Sequence, residues 1–296
     1  MSDGKKLTRR AVVIGAGVGA GATALAAVLG RHGPPEAPKL GTRLTAHRLE
    51  GDLPVEDPLH PDWDRVEGIL ATMQAQQVAP PFLDEAGIDE LEVRAAHDGE
   101  ELVLRLAWRD EERDDLDGIA RFHDAVAVQI PALPGEAPPA ITMGAPGVPV
   151  HILQWRASWQ RDLGEKTGSK TLYPNLVRDI GPEELLGYVA AAPFEAARAV
   201  GNPLSTAERV SPVEEIVAEG FGSATTLSTQ RARGAGAWDE GRWAVTIGFP
   251  MARGKSGAPI EPGSSWPLAF AVWLGSQKNR GSRKHFADWV SCVVEA

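Results

Sequence analysis

Nine tryptophans and three internal methionines carry the chemistry in this sequence that goes beyond simple packing. Trp155 and Trp159 lie close together, Trp238 and Trp243 flank one tight turn, and Trp266, Trp273 and Trp289 follow toward the C-terminus. Indole rings of this kind fill a β-sandwich core, and the same flat faces can wall a slot for a porphyrin or a sugar ring. Met143 stands at a loop edge, in Ile141-Thr142-Met143-Gly144-Ala145-Pro146-Gly147, just ahead of an apolar run. A methionine there is either a gap filler or a soft axial ligand to haem iron, which raises the reduction potential.

Most other chemistry is missing. There is no His-Glu-x-x-His, no P-loop, no Gly-x-Ser-x-Gly and no acidic Ca²⁺ loop. The seven histidines, at 32, 47, 60, 97, 123, 151 and 285, are dispersed. Carboxylates gather in runs such as Asp110-Glu111-Glu112-Arg113-Asp114-Asp115, which read as solvated loop. A single cysteine, Cys292, excludes an intrachain disulfide, a Cys-x-x-Cys-His haem attachment and a thiolate zinc cluster. The formal net charge of −10, without a long basic tract, argues against nucleic-acid binding.

The first 30 residues hold a second ambiguity. Val12-Val13-Ile14-Gly15-Ala16-Gly17-Val18-Gly19-Ala20 approaches a dinucleotide-binding turn, which demands a second strand ending in an acidic residue about 20 residues on. Glu36 has the spacing but follows Pro34-Pro35, which cannot join a central ladder. An export leader fits better: Lys5, Lys6, Arg9 and Arg10 precede an uncharged apolar run from Ala11 to Leu29, and Ala24-Leu25-Ala26 supplies a small-x-small site. Thr8-Arg9-Arg10-Ala11-Val12-Val13 resembles a twin-arginine signal. The run is also long enough to serve as an uncleaved membrane anchor.

The elements that must position these residues are short strands. Leu91 to His97 and Glu101 to Trp108 flank Asp98-Gly99, a primed-turn signal, and Leu102, Leu104, Leu106 and Trp108 define one buried face opposite a solvated one. Ala125 to Pro131, Val148 to Gln160, Arg242 to Phe249 after Asp239-Glu240-Gly241, Trp266 to Trp273 and Phe286 to Val294 read as further strands. Ser211-Pro212-Val213-Glu214 reads as a capping box opening a short helix through Ala218, and 182–188 and 193–200 as helices in an insertion. The expected fold is mainly β, an antiparallel sandwich with a few short helices in insertions. Its divisions are a leader or anchor at 1–30, an irregular Pro/Gly-rich arm at 31–62, and one domain over 63–296.

Seven stretches in order then resemble the γ subunits of the type II dimethyl sulfoxide reductase group, those of the ethylbenzene, dimethylsulfide, selenate and chlorate enzymes. They are Ala96-His97-Asp98-Gly99 with Leu106 to Asp110; Phe122 to Pro131; Met143-Gly144 followed by Gln154-Trp155-Arg156-Ala157-Ser158-Trp159-Gln160; Tyr173-Pro174-Asn175; Ala218-Glu219-Gly220-Phe221-Gly222; Trp238 to Trp243; and Phe270 to Ser276. The resemblance implies a periplasmic β-sandwich holding one non-covalent haem b, in complex with a molybdopterin catalytic subunit and an iron–sulfur subunit. Such a subunit relays electrons to or from an external carrier such as a soluble cytochrome c and does no substrate chemistry itself. The family's methionine ligand carries over onto Met143, with Trp155 as a candidate wall of the pocket. The second axial ligand is typically a lysine shortly before the Trp-x-x-Gly-x-Trp hairpin, but Thr229 to Ala237 contains none, and its arginines stay protonated. Lys255, in a nearby loop, is the candidate for that place if its loop folds back.

Two rival readings remain at this point. One is a haem-free β-sandwich that binds carbohydrate or scaffolds a partner, since sandwiches host many functions. The other is a nucleotide-dependent oxidoreductase built on the Gly15 motif.

Overall fold

The computed structural model describes residues 37–165, 173–175 and 209–296. The leader at 1–30 and the helices expected at 182–188 and 193–200 lie outside the described residues. Among the described residues the strands are β1 (Lys39–Leu40), β2 (Arg43–Arg48), β3 (Gly68–Thr72), β4 (Gln74–Ala75), β5 (Glu90–His97), β6 (Glu101–Arg109) and β7 (Ala125–Pro131). They continue with β8 (Val150–Arg156), β9 (Val213–Ala218), β10 (Thr225–Thr226), β11 (Arg233–Asp239), β12 (Arg242–Pro250), β13 (Ser265–Trp273) and β14 (His285–Val294), and one helix, α1 (Ala157–Gly164). No helix among the described residues is long and apolar enough to cross a membrane.

The expectation of a mainly β fold holds. The hydrogen-bonded path runs β10-β9-β8-β7-β13-β14-β2-β5-β6-β12-β11, and its two halves turn toward each other across one core. Alternation along the strands builds that core. Val126, Val128 and Ile130 of β7, Leu102, Leu104 and Leu106 of β6, and Leu268, Phe270 and Val272 of β13 enter a single apolar cluster. The Trp155 indole of β8 meets Trp243 of β12 edge to face at 5.0 Å between centroids, and Trp108 of β6 stacks on Trp243 at 6.2 Å. Gly236 of β11 exists for this contact, since a Cβ there would stand 2.2 Å from the Trp155 ring.

Pairing is antiparallel except at three places: β2 lies parallel to both β14 and β5, and β1 parallel to β3. The central place of β2 corrects the reading of 31–62 as an irregular arm. Arg43-Leu44-Thr45-Ala46-His47-Arg48 alternates, with Leu44 and Ala46 buried, and that short period was masked by the flanking prolines and glycines. Glu295 locks the strand at its far end, accepting from the Arg48 amide at 2.9 Å and lying 3.0 Å from His47 Nδ1. The rest of the arm covers the outer face of β6, so Val103 is as buried as Leu104 and packs with Val55, Trp63 and Val66. The face expected to be solvated is therefore roofed over, and Arg105 donates from it to the Pro58 carbonyl at 2.7 Å.

Two further expectations are corrected. Residues 213–218 form β9 rather than a helix, because Val213, Ile216 and Val217 are β-branched and β8 offers a ladder along their whole length. The strand expected to reach Gln160 ends at Arg156, where the chain turns into α1. At the Asp98-Gly99 hairpin only Gly99 has positive φ, at 99°, the pattern of a II′ turn, with Asp98 Oδ1 accepting from the Glu100 and Glu101 amides. At the second hairpin both Glu240 and Gly241 have positive φ, as a I′ turn requires.

One end of the core is tied by a pair of acids. Asp124 accepts from the amides of Asp114 and Gly275 and from the Trp243 indole, at 2.7, 2.8 and 3.0 Å. Burial, reinforced by Asp110 beside it, pushes its carboxyl up to about 8, and burial pushes Asp110 up to about 6. The pair holds protons more tightly folded than unfolded, so its contribution to stability is full below the usual carboxylate pKa of about 4 and is lost as pH rises through 6 to 8. Asp110→Asn, which can donate to the Asp124 carboxylate without a shared proton, is expected to flatten that fall; melting curves from pH 5 to 9 that keep the wild-type slope would refute this assignment. Gly236→Ala is expected to lower stability by about 1–3 kcal/mol in chemical denaturation through overpacking against Trp155.

Candidate functional site

The strands that fill the core on one side leave a cavity on the other. In β7 the residues between the core valines are Ala125 and Ala127, and in β13 those between Leu268, Phe270 and Val272 are Ala269 and Ala271. Register sets Ala127 opposite Ala271 and Ala125 opposite Trp273. The four alanines make a floor without height, and taller side chains stand beside it: Ile152, Gln154 and Arg156 of β8, and Glu214 and Ile216 of β9. The cavity volume is 580 Å³, within the range of about 300–1,000 Å³ usual for small-molecule sites. Three of these alanines, Ala125, Ala127 and Ala271, belong to a second apolar cluster, separate from the main core, against which Met143 packs.

Met143 reaches the cavity from the loop between β7 and β8. Its backbone has φ 68°, the left-handed region, which a non-glycine residue occupies at a cost of about 1–3 kcal/mol. The conformation is held by the Gly220 amide, which donates to the Met143 carbonyl at 2.7 Å, and by the Gly144 amide, which donates to Ala140 at 2.9 Å. Gly144 itself has φ 80°, and a Cβ would lie 2.5 Å from the Val148 carbonyl. Strain of this kind is retained where the surrounding structure dictates a side-chain direction.

Lys284 lines the same cavity. It directly precedes β14, in which His285 turns inward, so period two sends Lys284 and Phe286 to the cavity side. His285 is fixed on the other side, accepting from the Gly87 amide at Nε2 at 2.8 Å. The Lys284 ammonium lies 5.1 Å from the centroid of the Trp273 ring. Burial pushes its pKa down to about 8; the group retains some solvent access because the cavity opens to the surface, yet protein surrounds it. A thioether and an amine that readily gives up its proton thus face one apolar slot. Both are donors that a transition-metal centre can accept, and the cavity has the volume of a small-molecule site.

Of the three residues singled out in the sequence, only Met143 lines this cavity. Trp155 does not, because alternation along β8 sends Ile152, Gln154 and Arg156 to the cavity and Leu153 and Trp155 to the core, where Trp155 is fully buried. Lys255 does not either: it sits exposed on a 3-10 turn, Gly254–Ser256, away from the cavity lining. Lys284 was missed because Ser282-Arg283-Lys284 reads as a solvated turn. The available signal was its place one residue before an inward-facing histidine at the start of a strand. Trp273 is the tryptophan that walls the slot.

The comparisons bear on this geometry. The family model for ethylbenzene dehydrogenase matches residues 60–173, which span Met143, β7 and β8. A Haloferax mediterranei protein named as a respiratory nitrate reductase heme subunit, ORF7, is 25% identical over 261 residues, 84% of this chain and 75% of that one. Among solved structures, a family 9 carbohydrate binding module from Caldicellulosiruptor kristjanssonii with cellotriose aligns over 86% of this chain and 94% of that one, at TM-score 0.42 and 7% identity. A protein from Bacteroides uniformis named as carbohydrate-binding aligns over 86% of this chain and 100% of that one, at TM-score 0.44 and 10% identity. The two sequence matches bear out the resemblance carried by the ordered motifs: the chain is similar to the γ-type subunits of the type II dimethyl sulfoxide reductase group.

Proposed function

We propose that this chain is the haem subunit of an extracytoplasmic molybdopterin oxidoreductase complex, holding one non-covalent haem b between Met143 and Lys284. The observation that carries the reading is that a strained methionine and a desolvated lysine, from separate loops, line one alanine-floored cavity. The likeness to a heme subunit supports it independently. Bound there, the haem would supply a one-electron iron couple whose potential is raised by thioether ligation and apolar burial. In this reading electrons pass between an iron–sulfur subunit and an external carrier such as a soluble cytochrome c. A molybdopterin subunit performs the substrate chemistry, and the twin-arginine-like leader provides the export address and, if uncleaved, a tether.

The chain's own residues have distinct tasks. Met143 presents a sulfur that does not titrate, in a direction its backbone cannot relax away from. Lys284 must release its Nζ proton to act as a ligand, and its burial lowers the cost of doing so near neutral pH. Trp273 gives the ammonium a π face when no metal is present. The alanine floor and Ile152 give the slot an apolar lining.

Reconstitution with haem should give a low-spin spectrum with sharp reduced α and β bands. Met143→Ala and Lys284→Ala should each shift it toward high spin and weaken binding about tenfold or more, Lys284→His should restore the low-spin bands, and Lys255→Ala should change nothing. A protein that stays colourless with excess haem would instead select the haem-free binding module. Because the amine must be neutral, haem affinity should rise with pH and level off above about 8; in Lys284→His this rise should move to lower pH, and a pH-independent wild-type affinity would remove Lys284 from the iron.

A further inference from the structure

The charges around the cavity do not balance within the protein. Its two acids are already engaged: Asp117 Oδ1 lies 2.5 Å from His123 Nδ1, and Glu214 takes the Arg156 guanidinium and the Thr226 hydroxyl. Arg156 is further occupied by Gln154 at 3.2 Å and by stacking on Trp159 at 4.7 Å. Two cations remain, Lys284 against Trp273 and Arg280, whose guanidinium stands 5.2 Å from the centroid of Phe122. Among the described residues neither meets a carboxylate. A largely apolar slot with two uncompensated cations suits an occupant that is mostly apolar and carries acids.

Resting on the haem reading, in which Lys284 gives its lone pair to the metal, the surplus narrows to one side chain. We infer that Arg280 is the positioning residue that receives a carboxylate of the bound ring. The Phe122 face holds the guanidinium by stacking and leaves the N–H fork at its edge free for a two-pronged bond to a carboxylate. The backbone beneath it is fixed. Arg280 and Arg283 exchange both amide-to-carbonyl bonds at 3.0 Å around Gly281, whose φ is 54°, and the Trp273 indole donates to the Gly281 carbonyl at 3.0 Å. Arg280 and Lys284 therefore ride on one pinned loop between β13 and β14, which sets the distance between the carboxylate anchor and the ligating amine.

The test compares two ligands on the full-length chain: haem b, and haem b dimethyl ester, in which both acids are masked. Soret titrations should show wild type preferring the free acid by about tenfold or more, as a charge-assisted hydrogen bond predicts. Arg280→Gln should lose about tenfold in haem affinity, leave the ester within about twofold, and so abolish the preference, with Arg280→Lys in between. Unchanged melting temperature would verify that the exposed Arg280 has no part in folding. Equal losses for both ligands, or a preference that survives in Arg280→Gln, would overturn the assignment while the haem reading stands. Wild type that binds neither ligand would overturn both.

Discussion

The period of a β-strand is the constraint on which the rest of the molecule depends. In β7 and β13 every second residue enters the core and every other one leaves it, so two packing problems are solved by one sequence. Val126, Val128, Leu268, Phe270 and Val272 fill the interlayer space, and the alanines between them decline to fill the outer one. Larger residues at the alanine positions would close the slot without touching the core. Polar ones would make an ordinary wet face. Apolar yet small is the combination that leaves an apolar concavity, and contiguous apolar surface with a polar rim marks a binding site more often than an accident of packing.

The same strands carry costs that the fold must offset. Met143 occupies a backbone region it disfavours, and Lys284 is drawn out of water without an acid beside it. Both departures meet at one cavity, whereas Trp155, Trp243 and Trp108 pack ring against ring in the core. Proteins break local rules at functional sites and compensate elsewhere. The acids nearby follow the opposite logic. Glu214 and Glu215 are neighbours on β9: Glu214, on the cavity side, is paired with Arg156, and Glu215, fully buried, lies 3.1 Å from His151, so the cavity-facing carboxylate of β9 is matched by a guanidinium.

Much of this was legible in the sequence and some was not, for physical reasons. Hairpins at Gly99 and Gly241 announced themselves because only particular residues tolerate positive φ. Strands with clean alternation, such as β6, β7 and β13, were equally plain. β9 was obscured because Ser-Pro-x-Glu satisfies a helix start locally, and only the ladder offered by β8 overrides it. β2 was obscured because six alternating residues between prolines and glycines carry too little periodic signal. At the site, Met143 was found through its rarity and its loop, while Lys284 was hidden because a lysine in a turn is ordinary until the inward histidine after it fixes its side. Trp155 had the right chemistry and the wrong parity: one step along β8 separates the cavity from the core.

The position of β2 reaches beyond architecture. The strand nearest the N-terminus of this sheet that sits centrally lies between β5 and the last strand of the chain, and Glu295 clasps it from the second-last residue. The two halves of the path are therefore joined only where β2 pairs with β14 on one side and β5 on the other. Hairpins can close locally, but this junction needs residues 248 apart in the chain to meet, so deleting β2 or the Glu295 clasp would unseat the middle of the sheet rather than fray its margin.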